Sequence, residues 1–373
     1  MRVAIVTESF LPQVNGVSNT VRHVVDELVA AGHEAMVVAP GPGPAHHAGV
    51  PVVRVRSVGL PGYRSFPIGL PDAAVERAIE GFRPDVVHLA SPILLGAVGL
   101  RAARRLGIPT VAVYQTDVAG FARQYGLHDA LVDGVVDRWV GRLHRRVDLT
   151  LAPSRASADQ LAAMGVRDVA TWGRGVDLDL FGPSRRSEHL HRAWVPDGRV
   201  AVGYVGRLAH EKQVHRLALL SDLPGIQLVV IGDGPARAEL QRQLPGAVFT
   251  GMLQGEELAI AFASLDVFVH TGDAETFCQT VQEAQASGVP VVAPGVGGPV
   301  DLVEQRRTGL LFDSSDLGSL RSNVLELAGS PALRADLSRR ARAAVAERSW
   351  EAVVRQLVDV HYRRVLARAG VAA

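Results

Sequence analysis

The chain has 373 residues, which at roughly 150 residues per domain divides into two domains. Lys plus Arg (39) against Asp plus Glu (38) leaves +1, a balance that argues against a nucleic-acid coat, and 47% hydrophobic residues exclude a disordered chain. The one cysteine permits neither an internal disulfide nor a cysteine-clustered zinc site, and it suits a reducing compartment.

The N-terminal MRVAIVTES carries one charge and a short apolar run, the pattern of a strand rather than a secretion signal. In the first half, strands are predicted at Val3–Val6, Ala35–Val38, Val52–Val55, Val86–Leu89, Thr110–Val113 and Leu149–Ala152. The second half repeats the pattern at Val200–Val205, Gln227–Ile231, Val248–Thr250, Val267–His270 and Val289–Ala293. Runs apolar on both faces suit parallel strands covered by helices. A helix carrying Val21, Val24, Val25, Leu28 and Val29 should start near Ser18 to Thr20 and stop at Gly32. The longest apolar stretch, Val86 to Leu100, contains His88 and Pro92 and is too short to span a bilayer. A soluble cytoplasmic chain, at most peripheral to a membrane, is the expectation.

The alternation lapses between Phe181 and Arg199, where proline, glycine and mixed charge mark the best linker candidate. The predicted domains are residues 1–182 and 196–354, with a C-terminal helix over about 355–373 completing the first. The final segment, with Trp350, Val353, Val354, Leu357, Val358 and Val365 on one face, reads as a long amphipathic helix. Two doubly wound α/β domains facing a cleft follow.

Three segments are candidates for chemistry. After the first strand, Asn15-Gly16-Val17 can bring backbone and a helix N-terminus close to an anion, or it is an ordinary turn. After the first strand of the second half, Arg207 and Lys212 stand five apart in GRLAHEK, where a fork and a point charge together suit a diphosphate. Glu275 and Glu283 enclose the segment ETFCQTVQE. With a helix from Thr276, Glu283 would lie on its body and Glu275 before its first turn, with Phe277, Val281 and Ala284 as core. Gly232-Asp-Gly234-Pro-Ala-Arg237 lacks the third glycine of a dinucleotide fingerprint. Asp177-Leu-Asp179 reads as a domain-end turn in preference to a metal site, and His46-His47 and His189-Leu-His191 read as solvated.

Together the NGV turn, GRLAHEK, the E-x7-E run and GGP…GLLF at Gly297–Phe312 resemble retaining GT-B glycosyltransferases of family 4 over nearly the whole chain. AVYQTDVAGF (Ala112–Phe121) and ETFCQTVQEA look most similar to actinobacterial GDP-mannose-dependent α-mannosyltransferases acting on lipid or glycolipid acceptors. The resemblance implies that Arg207 and Lys212 hold the donor diphosphate, Glu275 the donor sugar and Glu283 the ribose. Backbone around Phe277, Cys278 and Gln279, and at Gly16, would complete the phosphate cradle, and no metal or other cofactor is implied. Gln115 stands where many relatives carry a sugar-contacting histidine, and Cys278 where glycine is frequent. The partners implied are a nucleotide-sugar and a lipid-linked acceptor, not nucleic acid, with the chain in the cytoplasm or on the inner face of the plasma membrane. The alternatives are a UDP-sugar (UDP-GlcNAc or UDP-glucose) with a soluble acceptor, and a non-catalytic two-lobed sugar-binding protein. The basic segment with Arg138, Arg142, Arg145 and Arg146 either rests on anionic lipid or covers the core with its apolar side.

Overall fold

The computed structural model describes residues 1–13, 15–60, 63–115 and 130–370, which fall into two compact units. The first runs to Gly175 and resumes at Trp350, and the second spans Val176–Ser349.

In the first unit the strands are β1 (Arg2–Thr7), β2 (Glu34–Pro40), β3 (His46–His47), β4 (Val50–Val55), a separate hairpin of β5 (Ser57–Leu60) and β6 (Tyr63–Gly69), β7 (Val86–Ala90), β8 (Thr110–Val113), β9 (Leu149–Ala152) and β10 (Val169–Thr171). Eight of them make one sheet in the order β10-β9-β8-β7-β1-β2-β4-β3, parallel except at the β3–β4 pairing. The middle strands β7, β8 and β9 are buried along their length because helices cover both faces. The helices are α1 (Gly16–Ala30), α2 (Ala73–Phe82), α3 (Leu95–Leu106), α4 (Ala130–His144) and α5 (Arg155–Ala163). Helix α1 begins at Gly16, earlier than its apolar periodicity predicts, because Asn15 Oδ1 accepts hydrogen bonds from Val17 N and Ser18 N, both at 3.0 Å.

The second unit has a parallel sheet of β11 (Val200–Val205), β12 (Ile226–Ile231), β13 (Val248–Gly251), β14 (Val267–Val269), β15 (Val291–Pro294) and β16 (Gly309–Phe312). Their order is β13-β12-β11-β14-β15-β16. The chain therefore reverses its winding between β11 and β14, and the carboxyl ends of those two strands form a topological switch point. Its helices include α6 (Glu188–Trp194), α7 (Arg237–Gln243), α8 (Gly255–Ala263), α9 (Gln279–Ala286), α10 (Pro299–Leu302), α11 (Gly318–Gly329) and α12 (Pro331–Val345).

The predicted linker is part of this second unit. Phe181, Trp194 and Val195 are buried in its core, and Arg186 donates to the carbonyls of Ala263 and Leu265. The units consequently change over at Gly175–Val176 and Ser349–Trp350, not at the bounds the composition suggested. Two aromatic anchors and one aliphatic anchor outweigh the polar residues between them. The histidine pairs are not simply solvated either. His47 Nε2 lies 2.8 Å from Asp26, and His191 Nε2 lies 2.8 Å from Asp266. Asp177 Oδ1 accepts from Leu180 N at 2.8 Å, which makes the Asp177–Asp179 segment a turn.

The chain ends in the predicted helix, α13 (Trp350–Gln356), continued by a π-helical stretch, Leu357–Tyr362, and a last α-helical turn. Val354, Leu357, Val358, Tyr362 and Val365 enter the core of the first unit. Trp172 Nε1 donates to Val353 O at 3.0 Å, and His88 Nδ1 lies 2.8 Å from Tyr362 Oη. Among the described residues, no helix is long and apolar enough to cross a membrane.

Candidate active site

Arg207 and Lys212 follow β11, and His270 follows β14, so all three sit at the carboxyl-end switch point of the second sheet. Tyr204 Oη donates to Arg207 O at 3.1 Å and fixes the start of that loop. Arg207 Nε donates to the buried Glu211 at 2.8 Å, with a further bond from Nη2 to the same oxygen. Lys212 Nζ donates to Glu275 Oε1 at 2.6 Å, and His270 Nε2 approaches the same oxygen at 3.2 Å.

The electrostatics follow from that geometry. Burial alone would raise the Glu275 pKa, but the Lys212 ammonium and His270 hold it far below the ordinary carboxylate range. Burial likewise opposes a charge on Lys212, and Glu275 overcomes it to push the lysine upward. His270 is raised to about 10, since Cys278 and Glu275 outweigh its burial. Glu275 is thus a carboxylate held ionised between two cations.

Helix α9 starts at Gln279, not at Thr276, because Cys278 takes the left-handed conformation at φ +78°. Glu275 therefore sits in the preceding loop. Two glycines shape that loop: a Cβ on Gly298 would lie 2.5 Å from the backbone of Phe277, and Gly298 N donates to Glu275 O at 2.7 Å. A Cβ on Gly297, at φ +68°, would lie 2.9 Å from the carbonyl oxygens of both Asp273 and Glu275. The side of the loop nearer β14 is anchored by a two-pronged pair, Arg216 Nη1 and Nη2 to Asp273 Oδ1 and Oδ2 at 2.7 and 2.8 Å, with Ser314 Oγ donating to Oδ1. Phe277, Val281 and Ala284 are core, as predicted. Glu283 lies on the body of α9, where burial raises its pKa to about 8 against a hydrogen bond from Gln279.

The structure brings Lys212, Glu275 and Cys278 together with His270, and it places Gln279 beside Glu283. Gly16 and Gln115 lie on the first unit, at a second cluster. A Cβ on Gly16 would stand 2.9 Å from Arg174 Nη1, and Arg174 Nη2 donates to Gln115 Oε1 at 3.4 Å. Thr116 and Asp117, adjacent to Gln115 in its motif, lie outside the described residues. Sequence reasoning missed His270, Arg216, Asp273 and Arg174 as site residues. Position at the end of a strand beside the switch point is the signal that marks His270.

The model of Glycosyltransferase Family 4 matches residues 14–180, and that of Glycosyl transferases group 1 matches residues 187–344. The chain is 53% identical to a GDP-mannose-dependent alpha-mannosyltransferase of Mycolicibacterium smegmatis, over 99% of this chain and 98% of that one. The chain belongs to glycosyltransferase family 4. It is 29% identical to a GDP-mannose-dependent alpha-(1-6)-phosphatidylinositol dimannoside mannosyltransferase of Mycobacterium tuberculosis, over 81% of this family 4 chain and 82% of the relative. The fold is GT-B: a sucrose-phosphate synthase from Thermosynechococcus elongatus superposes with a TM-score of 0.82 at 21% identity, covering 98% of this chain and 99% of the other.

Proposed function

We propose that this family 4 enzyme transfers mannose from GDP-mannose, with retention of anomeric configuration, to a hydroxyl of a lipid-linked acceptor. The observation that carries the reading is identity of 53% over 99% of this chain to a GDP-mannose-dependent alpha-mannosyltransferase, and the Lys212–Glu275 pair in the second unit supports it. The name of the phosphatidylinositol dimannoside mannosyltransferase supports the lipid acceptor.

In this reading Arg207 and Lys212 offset the charge that accumulates on the departing nucleoside diphosphate. Glu275, kept ionised by Lys212 and His270, accepts hydrogen bonds from hydroxyls of the donor sugar. Glu283 meets the ribose, and the backbone of Phe277, Cys278 and Gln279 faces the diphosphate. Gly16 and Gln115 keep the donor-binding roles implied by the family. The acceptor hydroxyl attacks from the face the leaving group vacates, and the donor phosphate takes its proton, so neither a protein nucleophile nor a metal is needed. Peripheral membrane contact belongs to the same reading. On α4, Val140 and Leu143 are core, whereas Val135 and Trp139 are 60% and 39% exposed beside exposed Arg138 and Arg142.

The test is transfer by the purified protein to total lipid extract, with GDP-mannose, UDP-glucose and UDP-GlcNAc supplied separately. Mannolipid from GDP-mannose is expected; transfer from a UDP-sugar with none from GDP-mannose overturns the donor assignment. Glu275→Ala is expected to lower kcat/KM by ~10²–10³-fold, the scale of one preorganised electrostatic contact. Full activity in that variant would remove Glu275 from the site.

A further inference from the structure

His270 is 3% exposed, and among the described residues neither of its ring nitrogens completes a hydrogen bond. Its Nε2 lies 3.2 Å from Glu275 Oε1, and the thiol of the buried Cys278 faces the same point. One ligand atom each from His270, Glu275 and Cys278 all lie within 4.8 Å of one another. We propose that these three side chains form a binding site for a thiophilic divalent cation such as zinc, and that the cation and the sugar donor exclude each other. The exclusion rests on the donor reading of Glu275; the cation site does not.

The donor set argues for this class of ion. Imidazole, carboxylate and thiolate together suit zinc and its relatives, whereas calcium and magnesium take oxygen ligands. Tetrahedral zinc with bonds of 2.0–2.3 Å separates its ligand atoms by ~3.5 Å, so the side chains need to close by only about 1 Å. The backbone that carries two of the ligands is already fixed. Gly297 and Gly298 pack against the 273–277 segment, and the Arg216–Asp273 pair anchors its start. Three protein ligands leave a fourth position for water, the arrangement of an open site.

Binding rearranges charge without redox chemistry. The Cys278 thiol and the His270 imidazolium each release a proton to solvent as the sulfur and the ring nitrogen coordinate. Lys212 Nζ, now 2.6 Å from Glu275 Oε1, gives up that carboxylate to the dication. A coordinated Glu275 no longer accepts hydrogen bonds from a sugar hydroxyl, and this is the physical origin of the exclusion.

Cobalt(II) is the probe, because a thiolate–cobalt bond gives a charge-transfer absorption that reports the Cys278 ligand directly. Titration of the purified full chain should produce this band at one cobalt per chain. Cys278→Ser should abolish the band, and His270→Ala should weaken cobalt binding by at least ~100-fold, beyond the usual cost of changing an outer-shell partner. Thermal melts monitored by circular dichroism establish that both variants fold. GDP-mannose at about 100 times its Kd should weaken apparent cobalt affinity ~100-fold by mass action. Absence of the band, or a band that survives Cys278→Ser, overturns the site. A band unmoved by GDP-mannose in protein that turns over GDP-mannose overturns the exclusion. Protein that does not turn over GDP-mannose refutes the donor reading, while its cobalt band and the Cys278→Ser result still decide the site.

Discussion

Glu275 and Glu283 belong to one motif, yet their surroundings drive them in opposite directions. Burial governs both, but Glu275 has Lys212 and His270 at its oxygen, whereas the pull of Gln279 on Glu283 is too weak to offset the lost solvation. The pH consequence follows for Glu283. Between its ordinary value of 4.5 and its raised value of about 8, the folded chain holds a proton that the unfolded chain has released. Stability from this group therefore declines as pH rises through that window. Glu283→Gln keeps the shape and removes the ionisation, so its melting temperature relative to the natural protein should improve steadily from pH 5 to pH 8. A difference that stays flat across that range would show that Glu283 is ionised throughout. Legibility at this scale divides by sequence separation. Glu275, Glu283, Arg207 and Lys212 were readable because residue type and spacing within short segments carry them. His270 ends an apolar run that reads as plain strand, so its residue type did not mark it, although its partners Glu275 and Cys278 follow within the next eight residues. The Arg216–Asp273 pair joins positions 57 residues apart, with no local signature.

At the scale of elements, strands were the most legible, because a parallel sheet buried on both faces writes itself as uninterrupted apolar runs. Helix starts were less so, since tertiary contacts place Cys278 in a left-handed conformation that helix periodicity does not encode. The segment over 181–199 misled for a related reason: its polar composition hid Phe181 and Trp194, which bury. Helix α4 shows two apolar faces that sequence could not separate. Val140 and Leu143 pack inward, while Val135 and Trp139 stand one turn apart in solvent, with Trp139 Nε1 donating to Ile93 O at 3.0 Å. Arg138, Arg142, Arg145 and Arg146 are all exposed along the same helix and its end. An amphipathic basic surface of this kind gains from anionic lipid both by charge and by burying the indole. In sedimentation with vesicles, the protein should bind phosphatidylglycerol-containing membranes and not pure phosphatidylcholine. Arg138→Glu with Arg142→Glu should abolish the bound fraction while leaving the fold intact by circular dichroism. Equal binding by that double variant would dissociate α4 from any membrane contact.

For the whole molecule, the two units differ in how the chain builds them. The second is continuous from Val176 to Ser349 and has its own buried clusters. The first is discontinuous, because α13 and the helix that follows it supply Val354, Leu357, Val358, Tyr362 and Val365 to a core otherwise made from the first 175 residues. Each buried leucine-sized side chain removed from such a core costs about 2–5 kcal/mol, against a total domain stability of about 5–15 kcal/mol. Losing several at once exceeds that margin. His88 adds to the dependence: burial lowers its pKa to about 4, and without Tyr362 its neutral ring loses a partner at 2.8 Å. Ending the chain after Ser349 should therefore unfold the first unit and spare the second. Limited proteolysis of the truncated protein should leave a resistant fragment beginning near Val176, whereas the full chain should protect both units. If the truncated chain protects its first 175 residues as well, the terminal helix is an accessory to that core and not a part of it.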